Sequence, residues 1–317
     1  MATANKPLAL VLMTSRTASA PGIEPHCDIV WWGELADRDA FLAERGAEVR
    51  VLVTAGSIPI RPKLTDRLPN LGLIAFYGAG YGGVDVKAMR ARGVSLSYCP
   101  ATNHEDVADV AVGLTISTVR RLSEGDRMVR SSEWTVPVPI RMTPSMRTLR
   151  YGIVGLGAIG TAIAERIEPI GGTIAWWGPR PKQVRWPRAD SLIALARDSD
   201  VLILALKADA ETANIVDADV LAALGSDGYL VNISRGIAVD EDALLDALRN
   251  ERLAGAGLDV FAREPSDAAK WRDLDNVALS PHIAGWARAS IEGSQAHLSE
   301  TLRRYFAGAP LLTPIPD

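Results

Sequence analysis

A glycine-rich hexapeptide, GLGAIG at residues 155–160, limits the possible folds of this chain more than any other feature. It follows the strand-like run RYGIV and begins a segment in which Ile159, Ile163 and Ile167 recur at helical spacing before a glycine pair. In a strand–turn–helix of this kind the first glycine makes the turn, the second admits a pyrophosphate to the backbone, and the third lets the helix pack closely. The alternative is that the glycines only form a tight strand-to-helix turn and bind no ligand. The pattern predicts a cofactor-binding turn made of six residues, Gly155, Leu156, Gly157, Ala158, Ile159 and Gly160.

Short apolar runs alternate with polar, helix-compatible segments on both sides of this turn. The first series comprises LALVLM, DIVWW, VRVLVT, LIAFYGAG and VSLSYCP, and the second comprises YGIVGLG, TIAWWG, DVLILAL, GYLVNIS, AGAGLDV and NVALSP. Such alternation predicts an α/β fold with parallel sheets covered by helices on both faces. Because 317 residues exceed what one hydrophobic core usually holds, we expect two doubly wound units in succession.

The segment between the two series differs in character. NHEDVADVAVGLTISTVRRL has an apolar stripe at Val107, Val110, Ala111 and Leu114, with Asn103 as a candidate cap, and this predicts a long linking helix. The stretch EWTVPVPIRMTPSMRTLR has little periodicity and several prolines, which favours an extended arm. The last residues return to a helix and then to a proline-studded tail.

Composition excludes several classes of partner. The chain has 48% hydrophobic and 23% charged residues and a formal net charge of -4, so it lacks the basic footprint of a protein that binds nucleic acid or an anionic membrane. No apolar run is long enough to span a bilayer. The only cysteines, Cys27 and Cys99, occur outside any metal-binding pattern. We therefore expect a cytoplasmic protein with a small-molecule ligand and no metal. KPLALVLM followed by ASA is also similar to a short secretory leader, but it is more typical of a buried strand.

Three later stretches contain candidate catalytic side chains. VNISRGIAVDEDAL holds Arg235, AGAGLDVFAREP holds Asp259 and Glu264, and LSPHIAGW holds His282. Each side chain lies at or just beyond the end of a predicted strand, where open parallel sheets bind ligands. Taken singly, each has an ordinary alternative: a surface ion pair, a loop ending or a helix start. Together with the glycine turn, in this order and spacing, they resemble the D-2-hydroxyacid dehydrogenase family over nearly the whole chain.

This resemblance implies a particular domain organisation. A Rossmann dinucleotide-binding domain, residues 103–286, would be inserted in a flavodoxin-like substrate domain made of residues 1–102 plus 287–317. It also implies a homodimer formed through the helix near 104–122 and the arm that follows.

The resemblance also implies roles for individual residues. His282 would be the general acid that protonates the keto oxygen, and Glu264 would keep its imidazole charged, since a carboxylate partner raises a histidine pKa from about 6.5. Arg235 would bind the substrate carboxylate and polarise the carbonyl, because its planar guanidinium stays charged. Asp259 would hold the nicotinamide amide.

A second glycine-rich stretch, YGAGYGGVD at residues 77–85, resembles the substrate loop of the family. By position, the backbone amides of Ala79 and Gly80 would receive the substrate carboxylate, since successive amides form an anion-binding concavity. A structural glycine turn is the alternative. Trp134 and Trp286 are candidates for lining the substrate pocket, with core packing or a subunit contact as alternatives.

The stretch WWGPRPKQVR, residues 176–185, bears on the choice of cofactor. NAD-binding chains usually place an acid here for the ribose hydroxyls, but this chain has Gly178 at that position and then Arg180 and Lys182. Because cationic side chains bind a dianionic phosphate, the stretch favours NADP over NAD. A solvated basic surface loop is the alternative. Lys207 stands where the family commonly has proline, near the cofactor phosphates.

The basic stretch and the family resemblance together favour NADPH-dependent reduction of a short 2-keto acid, and hydroxypyruvate or glyoxylate is the substrate that the resemblance implies. One alternative is an NAD-linked dehydrogenase of another D-2-hydroxy acid, including larger aromatic ones. Another is a dinucleotide-sensing binding protein, because the transcriptional C-terminal-binding corepressors resemble this family in fold and catalytic residues.

Overall fold

The computed structural model describes residues 6–56, 58–81, 83–100, 103–137 and 141–316. The strands of this part of the chain are β1 (Leu8–Val11), β2 (Asp28–Trp31), β3 (Val49–Thr54), β4 (Leu73–Phe76), β5 (Ser95–Tyr98), β6 (Arg150–Val154), β7 (Thr173–Trp177), β8 (Val201–Leu204), β9 (Tyr229–Asn232), β10 (Gly255–Leu258) and β11 (Val277–Leu279). The helices are α1 (Arg16–Ile23), α2 (Arg38–Arg45), α3 (Pro62–Thr65), α4 (Val86–Ala91), α5 (His104–Val119), α6 (Leu122–Arg130), α7 (Ala158–Ile167), α8 (Leu192–Arg197), α9 (Ala218–Leu224), α10 (Glu241–Arg249) and α11 (Arg288–Phe306).

The chain divides into two compact units. Unit 1 comprises Met1–Asn103 and Ala287–Asp317, and unit 2 comprises His104–Trp286. Each unit is built on one parallel sheet, which confirms the predicted α/β fold with two doubly wound parts. Of the helices within the described ranges, none is both long and apolar enough to cross a membrane.

The sheet of unit 1 has the strand order β2-β1-β3-β4-β5, which is the flavodoxin-like order. All residues of β1 and β4 are buried, as expected for parallel strands that are covered on both faces. The C-terminal tail pairs with the outer edge of β5, where the Tyr98 amide donates to the Thr313 carbonyl (3.1 Å) and the Ile315 amide to the Leu96 carbonyl (3.0 Å). This pairing covers backbone groups of an edge strand that would otherwise be open to other chains.

The sheet of unit 2 has the strand order β11-β10-β9-β8-β6-β7. Beyond β7, Trp176 forms a single parallel bridge with Arg188, at the place of the third strand in the Rossmann order 3-2-1-4-5-6. Alternate residues of each central strand enter different cores. In β8, Val201 and Ile203 join the core beside α5 and α7, whereas Leu202 and Leu204 join the core beside α8, α9 and α10.

The chain segment that follows β5 and precedes β6 folds partly as predicted. The linking helix extends over His104–Val119 and then turns at Arg121, whose φ of 53° lies in the left-handed region, before the separate helix Leu122–Arg130. Residues 131–137 and 141–145 form neither helix nor strand, in agreement with an extended arm. The arm residues 138–140 lie outside the described residues.

Candidate active site

Residues singled out from the sequence follow four strands of unit 2 at the carboxyl edge of its sheet. The glycine turn follows β6, Arg235 follows β9, Glu264 follows β10 and His282 follows β11. Since all of these strands are parallel, their carboxyl ends meet at one edge, which is where open α/β sheets bind ligands.

His282 and Glu264 form a hydrogen-bonded pair at this edge. The imidazole Nδ1 lies 2.6 Å from Glu264 Oε2, and the other carboxylate oxygen of Glu264 accepts a hydrogen bond from the Phe261 amide (3.1 Å). The side chains are 40% and 36% exposed, so the pair is accessible to a ligand. Because a carboxylate at Nδ1 holds the proton on that nitrogen, Nε2 is the nitrogen left to exchange a proton with a substrate.

The backbone at His282 adopts an unusual conformation, with a φ of 54°. Asp259, which is 1% exposed, holds the surrounding loop: its Oδ1 accepts from the Ser280 hydroxyl (2.5 Å) and the Ile283 amide (2.9 Å), and its Oδ2 accepts from the Ala284 amide (3.0 Å). A left-handed residue other than glycine persists where its surroundings determine the backbone, as they do here. Asp259 thus anchors the His282 loop, and its predicted contact with the cofactor stays a prediction.

Arg235 is presented by a turn that a buried asparagine closes. Asn232 Oδ1 accepts from the Ser234 amide (3.0 Å) and hydroxyl (2.8 Å), while its Nδ2 donates to the Arg235 carbonyl (3.0 Å). The Arg235 side chain is exposed and its Nη1 donates to the Ser234 carbonyl (2.6 Å). The remaining guanidinium donors suit a carboxylate ligand.

The glycine turn has the geometry of a phosphate cradle. Gly155 has a φ of 91°, and a Cβ there would lie 2.6 Å from the Leu206 Cα; a Cβ on Gly160 would lie 2.1 Å from the Gly155 carbonyl oxygen. At Gly157, by contrast, a Cβ would meet no described atom within 4 Å, and as the N-cap of α7 this glycine has no side chain that could bind the first amides of the helix. The turn is therefore closely packed at Gly155 and Gly160 and open at Gly157, which fits a dinucleotide pyrophosphate. The Leu156 side chain is buried, so only its backbone can face a ligand.

The basic side chains of the loop after β7 lie in different environments. Arg185 pairs with Glu168 and stacks on the Trp186 ring at 4.5 Å. Lys182 reaches back to the glycine turn, where its Nζ donates to the Leu156 carbonyl (2.5 Å). The side chain of Arg180 is exposed and has no hydrogen bond or ion pair within the described ranges, so it is available to an anionic ligand.

The buried Gly178 lies at the start of this basic loop. Its carbonyl accepts two hydrogen bonds from the Arg188 guanidinium, at 2.8 and 3.2 Å. Arg188 thus closes the loop onto the end of β7, and its charge is engaged in holding the backbone.

An apolar cavity of about 550 Å³ adjoins the His282–Glu264 pair. Besides the pair itself, it is lined by Phe261, Pro265, Ser266, Trp271, Leu279, Ser280 and Pro281. Trp286, which is 57% exposed, lies on the same loop as His282, and Trp134 is 58% exposed. Core packing is therefore wrong as an explanation of these two tryptophans.

The predicted substrate loop of unit 1 follows β4. Ala79 is exposed and Gly80 is half-buried, and a Cβ on Gly56 would lie 2.2 Å from the Gly80 carbonyl oxygen. The loops after β3 and β4 are therefore in close backbone contact. Their role in binding a substrate stays a prediction, and Gly82 of this stretch lies outside the described residues.

Several residues that build the site were not singled out from the sequence. They are Asn232, Glu241, Lys270, Ser280 and Arg188, each of which acts through a partner that is distant along the chain or on a turn. A polar residue at the end of a buried strand, such as Asn232, is the one position where a sequence signal could have been found.

The geometry agrees with what comparison to known proteins finds. Residues 112–284, more than half of the 317, match the model of the family described as "D-isomer specific 2-hydroxyacid dehydrogenase, NAD binding domain". The chain belongs to this family. As a D-2-hydroxyacid dehydrogenase it is an oxidoreductase, and its unit 2 contains the domain for a nicotinamide dinucleotide.

Relatives of this dehydrogenase cover almost its whole length. The hydroxyphenylpyruvate reductase of Plectranthus scutellarioides is 36% identical over 286 residues, which are 90% of this chain and 91% of that protein. A 2-hydroxyacid dehydrogenase structure from Ketogulonicigenium vulgare Y25 is 35% identical with a TM-score of 0.91, covering 99% of both chains. The NADPH-dependent glyoxylate/hydroxypyruvate reductase of Sinorhizobium meliloti, solved with NADP and malonate, is 33% identical with a TM-score of 0.88, covering 98% of this chain and 97% of that one.

Proposed function

We propose that this dehydrogenase reduces a short 2-keto acid, hydroxypyruvate or glyoxylate, to the D-2-hydroxy acid with NADPH. The observation that supports this most directly is the 2.6 Å contact between His282 Nδ1 and Glu264 Oε2 at the carboxyl edge of the unit 2 sheet. A histidine held in this way, at the same sheet edge as an exposed arginine and a turn with the geometry of a phosphate cradle, suits carbonyl reduction.

Each residue of the site has a distinct part in the reaction. The reduced dinucleotide, when bound, supplies a hydride to the keto carbon. As the C=O π electrons move onto oxygen, the His282 Nε2–H bond breaks and its proton goes to that oxygen, leaving a neutral imidazole that regains a proton from solvent. Glu264 keeps the imidazole oriented through Nδ1. Arg235 binds the substrate carboxylate and stabilises charge on the keto oxygen.

The two units are proposed to divide the binding of ligands. Unit 2 holds the dinucleotide at the turn Gly155–Gly160, with the pyrophosphate at the open backbone of Gly157. Unit 1 serves as the substrate domain, where the amides of Ala79 and Gly80 receive the substrate carboxylate.

The preference for NADP rests on the loop after β7. No acidic residue occurs between Trp176 and Arg188, so the ribose 2′-phosphate would meet no carboxylate there. Arg180 is free to pair with that phosphate, and Lys182 lies between the loop and the glycine turn. The NADP complex of the Sinorhizobium meliloti relative supports the same choice.

A larger aromatic substrate is a second candidate. The Plectranthus scutellarioides relative is named a hydroxyphenylpyruvate reductase, and an apolar cavity adjoins the His282–Glu264 pair of this chain. Both substrate classes share the 2-oxo acid group and therefore the same chemistry at Arg235 and His282.

The test is a panel of 2-oxo acids run with NADPH and with NADH, following loss of the absorbance of the reduced nicotinamide. We expect the highest kcat/KM with glyoxylate or hydroxypyruvate and NADPH, while a preference for hydroxyphenylpyruvate would favour the second candidate. His282→Ala should lower kcat by about 10² to 10⁴ through loss of acid catalysis, with binding of NADPH retained as the control. Absence of turnover with every acid and both cofactors would contradict the enzymatic proposal and favour a dinucleotide sensor.

We also propose that the protein is a homodimer. Helix α6 and the arm after it expose five large apolar side chains: Leu122, Val129, Trp134, Val136 and Met142, with exposed fractions between 52% and 98%. Several large apolar side chains exposed on one segment are the feature that supports a subunit contact there. This set of five residues is called the arm surface below.

A further inference from the structure

Glu241, the first residue of α10, connects two parts of unit 2 through its carboxylate. Its Oε2 accepts a hydrogen bond from the Ala262 amide (2.9 Å), and its Oε1 accepts one from Lys270 Nζ (2.5 Å). The side chain is only 10% exposed. The helix does not need this carboxylate as a cap, because Asp240 already accepts the Ala243 amide (3.0 Å). Glu241 is thus a largely buried acid whose interactions are directed away from its own helix.

The backbone that Glu241 holds belongs to the short loop that presents Glu264. Ala262 lies two residues before Glu264 and directly after Phe261, whose amide binds Glu264 Oε1. A displacement of Ala262 would therefore move both the backbone that presents Glu264 and one of the two groups that orient its carboxylate. The second of those groups is the His282 imidazole.

The same loop also supports the turn that contains Arg235. Gly236 packs against it so closely that a Cβ there would lie 1.9 Å from the Phe261 carbonyl carbon and 2.4 Å from the Ala262 nitrogen. The peptide between Phe261 and Ala262 is therefore the point at which the Arg235 turn and the Glu264 loop meet. Glu241 binds the same peptide by accepting a hydrogen bond from its Ala262 amide.

We propose that Glu241 is a positioning residue, which fixes the Phe261–Ala262 peptide and thereby aligns Glu264 and His282 for proton transfer and Arg235 for stabilising charge on the keto oxygen. This inference rests on the proposed function for the identity of the reaction, but the alignment itself is a property of the free protein. Because small displacements of reacting groups lower rates steeply, loss of this contact should act mainly on kcat. Lys270 completes the arrangement by neutralising the carboxylate, and its own pKa is raised first by its hydrogen bond to Glu241.

The test compares three variants of Glu241. Glu241→Gln retains an acceptor of the same length for the Ala262 amide, whereas Glu241→Ala removes it and Glu241→Asp withdraws it by one methylene. We expect Glu241→Ala and Glu241→Asp to lower kcat by about 10- to 100-fold with little change in the Kd for NADPH. Glu241→Gln should rescue most of that loss. Asp242→Ala, which removes an exposed acid from the same helical turn, is the matched control and should behave as wild type.

A spectroscopic readout separates this proposal from the proposed function. In the free protein, the proton shared between His282 Nδ1 and Glu264 should give a downfield ¹H resonance that Glu264→Gln abolishes. We expect Glu241→Ala or Glu241→Asp to shift or broaden this resonance and Glu241→Gln to preserve it, whether or not a 2-oxo acid is turned over. If Glu241→Ala does not fold, Glu241→Asp provides the comparison. A wild-type kcat and an unchanged resonance in Glu241→Asp would overturn the proposal, as would equal losses in Glu241→Asp and Glu241→Gln.

Discussion

At the scale of single residues, the capacity of the site to bind an anionic ligand depends on which charged side chains already have a partner in the protein. Arg185 and Arg188 are cations of the same loop as Arg180, but the first pairs with Glu168 and the second binds the Gly178 carbonyl. A charge that is committed to a protein partner gains little from a new ligand, because the existing contact must be given up. The three arginines are therefore not equivalent, although the sequence alone presents them as one basic stretch.

Replacing Arg180 tests the preference for NADP. Arg180→Ala should raise the KM for NADPH by about 10-fold or more and leave the KM for NADH nearly unchanged, because only NADPH carries the ribose 2′-phosphate that this guanidinium is proposed to bind. Steady-state kinetics with both cofactors measures the effect. Arg185→Ala is the control and should change neither KM. Equal effects of Arg180→Ala on both cofactors would show that this side chain does not contact the 2′-phosphate.

At the scale of elements, the edge of the sheet opposite the site is held by a partly exposed ion pair. Asp200, just before β8, accepts hydrogen bonds from the amide (2.7 Å) and the Nη2 (2.6 Å) of Arg150 in β6. Burial acts to raise the pKa of Asp200, but the hydrogen bonds from Arg150 outweigh it, and the pKa is lowered. The pair therefore stabilises the folded state above the unfolded pKa of about 3.9 and loses this effect as the pH falls through the lower folded pKa.

We expect Asp200→Asn to lower the free energy of unfolding by about 1 kcal/mol at pH 7, given the solvent exposure of the pair. The difference from wild type should begin to shrink as the pH falls below about 4, where the carboxylate of the unfolded chain takes up a proton, and should vanish below the lower folded pKa, where the native carboxylate is protonated as well. Denaturant unfolding at a series of pH values measures both effects. Asp198→Asn, at a more exposed acid beside Arg197, should have no measurable effect. A difference that is the same at every pH would exclude the ionic contribution.

At the scale of the whole molecule, the arm surface predicts self-association. Light scattering coupled to gel filtration should give twice the chain mass of 33.9 kDa at micromolar protein concentrations. Trp134→Asp should shift the population toward monomer, because it places a charge in an apolar contact. Ile193→Asp, at a half-exposed apolar residue on α8, is the control and should leave the mass unchanged. A wild-type protein that elutes as a monomer would contradict the proposed homodimer.

Much of this molecule could be predicted because its signals are local. The alternation of apolar runs predicts every strand of both sheets, and the glycines of GLGAIG have the turn, open position and close helix contact that their spacing indicates. The proximity of Glu264 and His282 follows from the convergence of parallel strand ends. This proximity could be predicted from the order of the motifs in the family, without any distance between the two side chains.

Other features depend on contacts between segments far apart in the chain. The pairing of the tail with β5, the bridge at Arg188 and the engagement of Asp259 with the His282 loop join residues that share no periodic pattern. Glu241 is the clearest case, since an acid at the start of a helix is explained locally by the helix dipole. Its bond to Ala262 becomes visible only when the loop is in place.

The chemical inventory of this protein was thus determined by its sequence: two parallel sheets, a glycine turn with the geometry of a phosphate cradle, and a glutamate, a histidine and an arginine at strand ends. Which of its charges are free to act was decided by the tertiary structure alone. The physical reason is that residue type and spacing set local conformation and burial, whereas the partner of a polar group depends on which distant segment packs against it.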